Sequence, residues 1–192
     1  MLVLVVGPSG AGKDTLMERA RAALAGDTRF RFVTREITRP RDAGGEAHVE
    51  VDEAGFAARR AAGGYALSWG AHGLFYGIPA DIADDLAAGR VVVANVSRGV
   101  IGEAARRFPV LVLEITAPIE VLAARLAQRG RESAADIAAR LARTAAVPAE
   151  AETVRVMNDR SVEEGVAAVV AALSRAAERA RPAGTAPPPS PG

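Results

Sequence analysis

Gly7-Pro8-Ser9-Gly10-Ala11-Gly12-Lys13 is the stretch on which the reading of this chain turns. It follows the pattern G-x-x-x-x-G-K and lies between an apolar run at 2–6 and a helix-like stretch at 14–24, the strand-to-helix setting that gives the pattern meaning. Lys13 is the one lysine among 24 basic residues; all the others are arginine. A chain that uses arginine everywhere else keeps an ammonium where a phosphate-binding loop needs a compact, flexible point charge rather than a planar fork. Motif and setting together predict a nucleotide-phosphate site.

The glycines of the loop let its backbone approach an anion closely, so that successive N–H groups point inward at the start of a helix. The expected nucleotide-binding set is Gly7, Pro8, Ser9, Gly10, Ala11, Gly12, Lys13, Asp14 and Thr15. Lys13 adds its charge between the loop and the β and γ phosphates.

Composition agrees with an ordinary enzyme domain. The chain has 192 residues, 49% hydrophobic and 24% charged, enough for one core and one domain over 1–180. A net charge of +1 speaks against a nucleic-acid partner. No apolar run approaches the ~20 residues needed to span a bilayer, so no membrane partner is expected. The absence of cysteine excludes disulfides and thiol chemistry. Cytoplasmic residence is the expectation, since ATP is found there.

Apolar runs alternate with amphipathic stretches along the chain. Runs at 91–94, 110–115 and 154–157 read as buried parallel strands, and 119–128, 134–145 and 162–179 carry helical spacing. Asn158-Asp159 and Ser161 read as the cap of the last helix. The pattern predicts an α/β fold, a mostly parallel sheet flanked by helices on both faces. Residues 31–77 depart from it, being polar, glycine-containing and then aromatic, and read as an inserted acceptor-binding portion. The tail at 181–192, rich in proline, is expected to be disordered. Asp84-Asp85 reads as a solvated helix face.

Arginine forms the second constellation. Thr38-Arg39-Pro40-Arg41, with Glu46 shortly after, places two guanidiniums on an extended segment where they can clamp a phosphate. A further group, Arg125, Arg129, Arg131, Arg140 and Arg143, lies along 118–145. Arg129, Arg131 and Arg140 flank a candidate hinge at Gly130 and are read as phosphate contacts, while Arg125 and Arg143 are read as a solvated face.

Taken in order, the loop, Thr38-Arg39-Pro40-Arg41 with Gly45-Glu46, Tyr76-Gly77, Arg129-Gly130-Arg131-Glu132 with Arg140-Leu141, and Asn158-Asp159 resemble the guanylate kinases, from Leu2 to about Ala177. The resemblance implies a P-loop NTPase fold with a helical lid over about 118–145. It also implies ATP as donor, Arg39, Arg41 and Tyr76 on the acceptor's phosphate, lid arginines closing over the transferred group, and Asn158 near adenine. Three departures narrow it: Asp14-Thr15 after the loop lysine, Leu67-Ser68-Trp69 before the Tyr-Gly pair, and Asn95-Val96-Ser97-Arg98 at a strand end. These resemble the ribose 1,5-bisphosphate phosphokinases of phosphonate breakdown, which move the γ phosphoryl of ATP onto ribose 1,5-bisphosphate to give 5-phosphoribosyl 1-diphosphate.

The acceptor set implied by that resemblance is Arg39, Arg41, Glu46, Trp69, Tyr76, Asn95, Ser97 and Arg98, with Lys13, Arg129, Arg131 and Arg140 acting on the phosphoryl in transit. Such a reaction needs no general base, because its nucleophile is already ionised, so His48 and His72 need not serve as one. Trp69 and Phe75 are equally readable as core. Asp14 and Thr15 are the candidate Mg²⁺ residues, since Asn95 stands where a P-loop kinase often carries an acid. Two alternatives stay open: a guanylate or other nucleoside monophosphate kinase, and a catalytically silent binding module of the same fold. A homodimer also stays open.

Overall fold

A computed structural model describes residues 1–40, 47–127 and 151–180. Its centre is a parallel sheet built from β1 (Leu2–Val6), β2 (Phe30–Phe32), β7 (Val91–Asn95), β8 (Val110–Thr116) and β9 (Glu152–Met157), in the order β2-β7-β1-β8-β9. Every pairing in it is parallel. All five residues of β1 are fully buried. A strand covered on both faces needs apolar side chains in both directions, which is why 2–6 shows no alternation. Val3 and Val5 pack beneath Leu16, Ala20 and Leu173, whereas Leu2, Leu4 and Val6 join Ile82, Ile101 and Ala104 on the opposite face. Each such leucine contributes about 1.5–3 kcal/mol by leaving water.

Helices α1 (Lys13–Ala23) and α6 (Val162–Ala180) supply residues to the first face, and α3 (Ile82–Ala87) and α4 (Ile101–Arg107) to the second. α5 (Ile119–Ala127) follows β8. Ser161 caps α6: its hydroxyl accepts from the Glu164 N–H, and the Glu164 carboxylate accepts from the Ser161 N–H. The reciprocal pair satisfies two N–H groups that the helix start leaves without partners.

The polar middle of the chain forms a second sheet. It comprises β3 (Glu36–Ile37), β4 (Val49–Glu50), β5 (Tyr65–Ala71) and β6 (Leu74–Pro79) in the order β4-β3-β6-β5, with α2 (Glu53–Ala61) alongside. β5 and β6 are an antiparallel hairpin turning at His72-Gly73, both with positive φ, the backbone of a tight two-residue turn. Phe30–Phe32 belongs to the core sheet, so the second sheet begins four residues later, at Glu36.

Asp85 corrects one expectation. It is buried rather than on a solvated face, accepting from Arg31 and, at 2.8 Å, from Arg90. Arg31 is the middle residue of β2 and Arg90 immediately precedes β7, so tertiary packing creates a partnership that the helix spacing of 82–87 does not reveal. Residues 128–150, with the helical stretch expected at 134–145, and 181–192, with the expected disordered tail, lie outside the described residues.

Candidate functional site: a cationic cleft at the sheet's carboxyl edge

Three parallel strands deliver the site. The ends of β1, β7 and β2 lead respectively into the glycine loop, into Asn95–Ser97, and into Val33–Arg35, all at one edge of the sheet, where α/β proteins bind ligands. The loop itself is tightly held. Gly12 has φ 81°, and a Cβ there would lie 2.5 Å from Asn158 Nδ2. That nitrogen donates to the Ala11 carbonyl at 2.8 Å, while the Asn158 backbone N–H donates to Thr116 O at 2.7 Å. Asn158 is thus a buried tie between the end of β8 and the glycine loop, with its amide committed to loop backbone.

Lys13 opens α1, and its Nζ donates to Gly7 O at 2.8 Å and Pro8 O at 3.0 Å. Burial, and then the nearby Arg98 and Arg35, push its ammonium below the usual lysine value, against the pull of Asp14. A cation in that state gains most when an anion arrives. Asp14 is exposed in the first turn, and its Oδ1 accepts from Asn95 Nδ2 at 3.2 Å.

Beside the lysine lies a cleft of about 340 Å³, bordered by Gly7, Lys13, Arg35, Arg39, Trp69 and Tyr76, with His72, Asn95 and Ser97 at its margins. Trp69 and Tyr76 face each other across β5 and β6, stacked nearly parallel at 5.3 Å. A second cavity of about 440 Å³ adjoins it beneath Asp14, Thr15 and Thr34. Arg39 is held by His48 in two directions: the ring Nε2 lies 2.9 Å from Arg39 O and Nδ1 lies 3.3 Å from the guanidinium. Nε2 then carries the proton and donates, and Nδ1 accepts. His48 is buried, which makes it a support for Arg39 rather than a group in the cleft.

The structure brings together most of the residues picked out by sequence: the loop, Lys13, Asp14, Arg39, Trp69, Tyr76, Asn95 and Ser97 all border the two cavities or adjoin them, and Thr15 lines the second. Arg98 departs from expectation. Its guanidinium turns away to Glu114, 3.1 Å, and does not border the cleft. Glu114 is buried and also accepts from Arg155 at 2.8 Å. Burial pushes its carboxyl up, but the hydrogen bonds from Arg155 and Arg98 outweigh that and hold it below its ordinary value. A buried carboxylate at the strand end captures Arg98, as unpaired burial would be costly for either charge. Arg125 departs too: it is half-buried, with one guanidinium nitrogen lacking a hydrogen-bond partner among the described residues, so it does not lie on a solvated face. Phe75 is 39% exposed and stacks on Phe56, not in the core. Arg41, Glu46, Arg129, Arg131 and Arg140 lie outside the described residues.

Two residues of the site were missed by sequence. Arg35 borders both cavities, and His48 orients Arg39. Neither belongs to a motif, and only the path of β2 into β3 and the return of β4 place them there.

Among the described residues no group of three or more acidic or histidine side chains can hold a metal by itself. A magnesium ion carried with nucleotide phosphates needs less, typically one or two protein oxygens, because phosphates and water complete its octahedron. The exposed Asp14 carboxylate with the Asn95 amide beside it fits that requirement. None of the helices among the described residues is long and apolar enough to cross a membrane.

Comparison with known proteins agrees with this chemistry. No protein-family model matches the sequence. A ribose 1,5-bisphosphate phosphokinase PhnN from Methylobacterium radiotolerans is 53% identical over 175 residues, covering 90% of this chain and 96% of that protein. One from Acidiphilium cryptum is 54% identical over 174 residues, covering 91% and 92%. A bifunctional ribose 1,5-bisphosphokinase-thymidine phosphorylase from Azorhizobium caulinodans is 49% identical over 94% of this chain, but the chain spans only 26% of that protein's length. Among solved structures, guanylate kinase from Anaplasma phagocytophilum superposes with a TM-score of 0.62 at 19% identity, covering 91% of this chain and 84% of that one, which bears on the fold alone.

Proposed function

The chain belongs to the ribose 1,5-bisphosphate phosphokinase family, and from that premise we propose that it transfers the γ phosphoryl of ATP to the 1-phosphate of ribose 1,5-bisphosphate, giving 5-phosphoribosyl 1-diphosphate and ADP. Cytoplasmic ATP, carried with Mg²⁺, is the donor. The observation that carries the reading is the make-up of the cleft. Lys13, Arg35 and Arg39 converge there with an aromatic wall, and Asp14 is the single carboxylate among its described lining residues. Such a wall suits a sugar bearing two phosphates, whereas the N–H groups of a guanine ring call for a carboxylate, which 67–72 lacks.

An oxygen of the 1-phosphate, already ionised, forms a bond to the γ phosphorus. The bond from that phosphorus to the β,γ-bridging oxygen breaks, and its electron pair leaves with ADP. No proton has to move, which accords with a cleft in which His48 is occupied in holding Arg39. Lys13 exchanges the Gly7 and Pro8 carbonyls for phosphate oxygens, stabilising charge as it spreads over the transferred group. Arg39 and Tyr76 hold the 5-phosphate end, and Trp69 lies against the ribose. Arg129, Arg131 and Arg140 close over the phosphoryl in transit and exclude water that would otherwise hydrolyse ATP. Asp14 and Asn95 would hold Mg²⁺, directly or through water, and the ion would neutralise charge on the β and γ phosphates.

The test is ADP formation from Mg·ATP with ribose 1,5-bisphosphate or GMP as acceptor. Turnover is expected with the ribose compound alone, and Lys13→Ala is expected to lower kcat on the order of 10²–10³-fold. Turnover with GMP alone, or with neither acceptor, overturns the reading.

A further inference from the structure

Among the described residues three border both cavities: Asp14, Asn95 and Arg35. The first two are hydrogen-bonded to each other, and Arg35 is the cation among these three described residues. It lies in the passage from β2 to β3, and its backbone carbonyl accepts from Val49 N–H at 2.9 Å, anchoring it to the second sheet. Its guanidinium lies 5.2 Å from the centre of the Tyr76 ring and 5.9 Å from that of Trp69. The stacked ring pair therefore fixes the cation from one side. A guanidinium beside an aromatic pair keeps its planar fork, which is suited to two oxygens of one phosphate.

The electrostatic setting ranks Arg35 between the donor and acceptor ends. The charge felt at Lys13 includes that of Arg35, and the charge felt at Arg35 includes those of Asp14 and Arg39. Burial, and then Arg39, press the Arg35 guanidinium down to about 10, while Tyr76 and Asp14 pull the other way. It stays charged at neutral pH, but three cations on one small cleft repel, and placing them so is favourable only when a strongly anionic ligand sits among them. Arg98, a cation of the acceptor set that the resemblance implies, is paired with Glu114.

We propose that Arg35 holds the acceptor's reacting phosphate, the one on C1, against Lys13, and thereby selects a phosphate oxygen as the nucleophile. This rests on the reading of ribose 1,5-bisphosphate as acceptor. Arg39 and Tyr76 then bind the distal 5-phosphate, and the two phosphates of one sugar are divided between two arginines on either side of the β3 strand, Arg35 before it and Arg39 after it.

The test separates the two phosphates by comparing ribose 1,5-bisphosphate as substrate with ribose 5-phosphate, which lacks the C1 phosphate, as competitive inhibitor. In Arg35→Met, the KM for the bisphosphate is expected to rise about tenfold or more with a fall in kcat, the loss of one charge-assisted contact. The inhibition constant of ribose 5-phosphate and the KM for ATP are expected to move by less than about twofold. Arg35→Lys, which keeps the charge, should recover part of the loss, and it carries the same comparison if the methionine variant does not fold. An equal loss for both sugar phosphates overturns the proposal, since Arg35 would then serve the distal phosphate or merely pack on the aromatic pair. A loss falling on ATP overturns it as well. A wild-type enzyme that does not turn over ribose 1,5-bisphosphate at all brings down the acceptor reading itself, and does so before any variant is made.

Discussion

The strands β1 and β7 of the core sheet carry no charged side chain, and all of β1 is fully buried. The four strands of the second sheet, by contrast, bury Glu36 and lie beside the buried His48, with Arg35 and Arg39 flanking β3. Glu36 accepts from the Tyr65 hydroxyl at 2.6 Å and pairs with Arg59 at 2.9 Å. Burial and that hydrogen bond push the Tyr65 phenol up. The core sheet is thus held by area removed from water, which tolerates exchange among apolar residues of similar size. The second sheet is held by a few directional bonds, each of which leaves a buried polar atom without a partner when one member is removed. The difference teaches where each half of the site gets its precision: the donor loop from rigid strands behind it, the acceptor cleft from polar contacts and aromatic packing.

The largest effect expected from probing this contrast comes from Gly77→Ala. Gly77 lies on β6 against the face of Tyr65, and a Cβ there falls within the ring's van der Waals surface. Overpacking is expected to cost about 1–3 kcal/mol of stability, read by denaturant unfolding. Acceptor KM should rise while ATP affinity holds, and an equal loss of both would mean the two sheets are not separable in this way.

A smaller effect, read in the acceptor kinetics, is expected at the support of Arg39. His48→Ala should raise the acceptor KM by about tenfold, the equivalent of one hydrogen-bonded support, with kcat and the KM for ATP nearly unchanged. A matching fall in kcat would show that Arg39 contacts the transferred group rather than the distal phosphate.

The smallest effect belongs to a polar cluster of the core sheet, that of Glu114 with Arg98 and Arg155. Glu114 is held below its ordinary value of 4.5 in the folded chain, so its contribution to stability is full above that value and is lost as pH falls through the lower folded one. Wild-type stability should drop as pH falls below about 4.5, and Glu114→Gln should be less stable at neutral pH but show a flatter fall on that acid side. An unchanged slope would mean that the Arg98 and Arg155 contacts do not bind the carboxylate more tightly in the folded state than in the unfolded one.

Much of the core sheet was legible beforehand because its signals are local. Runs at 2–6, 91–94, 110–115 and 154–157 lie on four of its five strands, the loop lysine opens α1, and Ser161 caps α6. The short β2 was not singled out, since three residues of mixed character carry no period. The acceptor cleft was legible in part. Trp69, Tyr76 and Arg39 stood out by type and order and do border it, but Arg98 was taken for a cleft residue because its position at a strand end says nothing about the buried Glu114 beside it.

The sequence by itself determined that this is a phosphate-loop α/β domain, because a glycine loop, its single lysine and the apolar strands act through neighbours only a few residues away, while the ribose bisphosphate kinase type came from the resemblance at Asp14-Thr15, Leu67-Ser68-Trp69 and Asn95-Val96-Ser97-Arg98. The tertiary structure alone decided which arginines face the cleft. Arg35, Arg39, Arg98 and Arg31 are chemically identical side chains, and what separates one that borders the cleft from one in a structural ion pair is the partner that folding brings to it: Tyr76 for Arg35, His48 for Arg39, Glu114 for Arg98, Asp85 for Arg31. A buried charge takes the nearest complement that folding brings to it, and that complement is set by strand order and register rather than by the residues on either side.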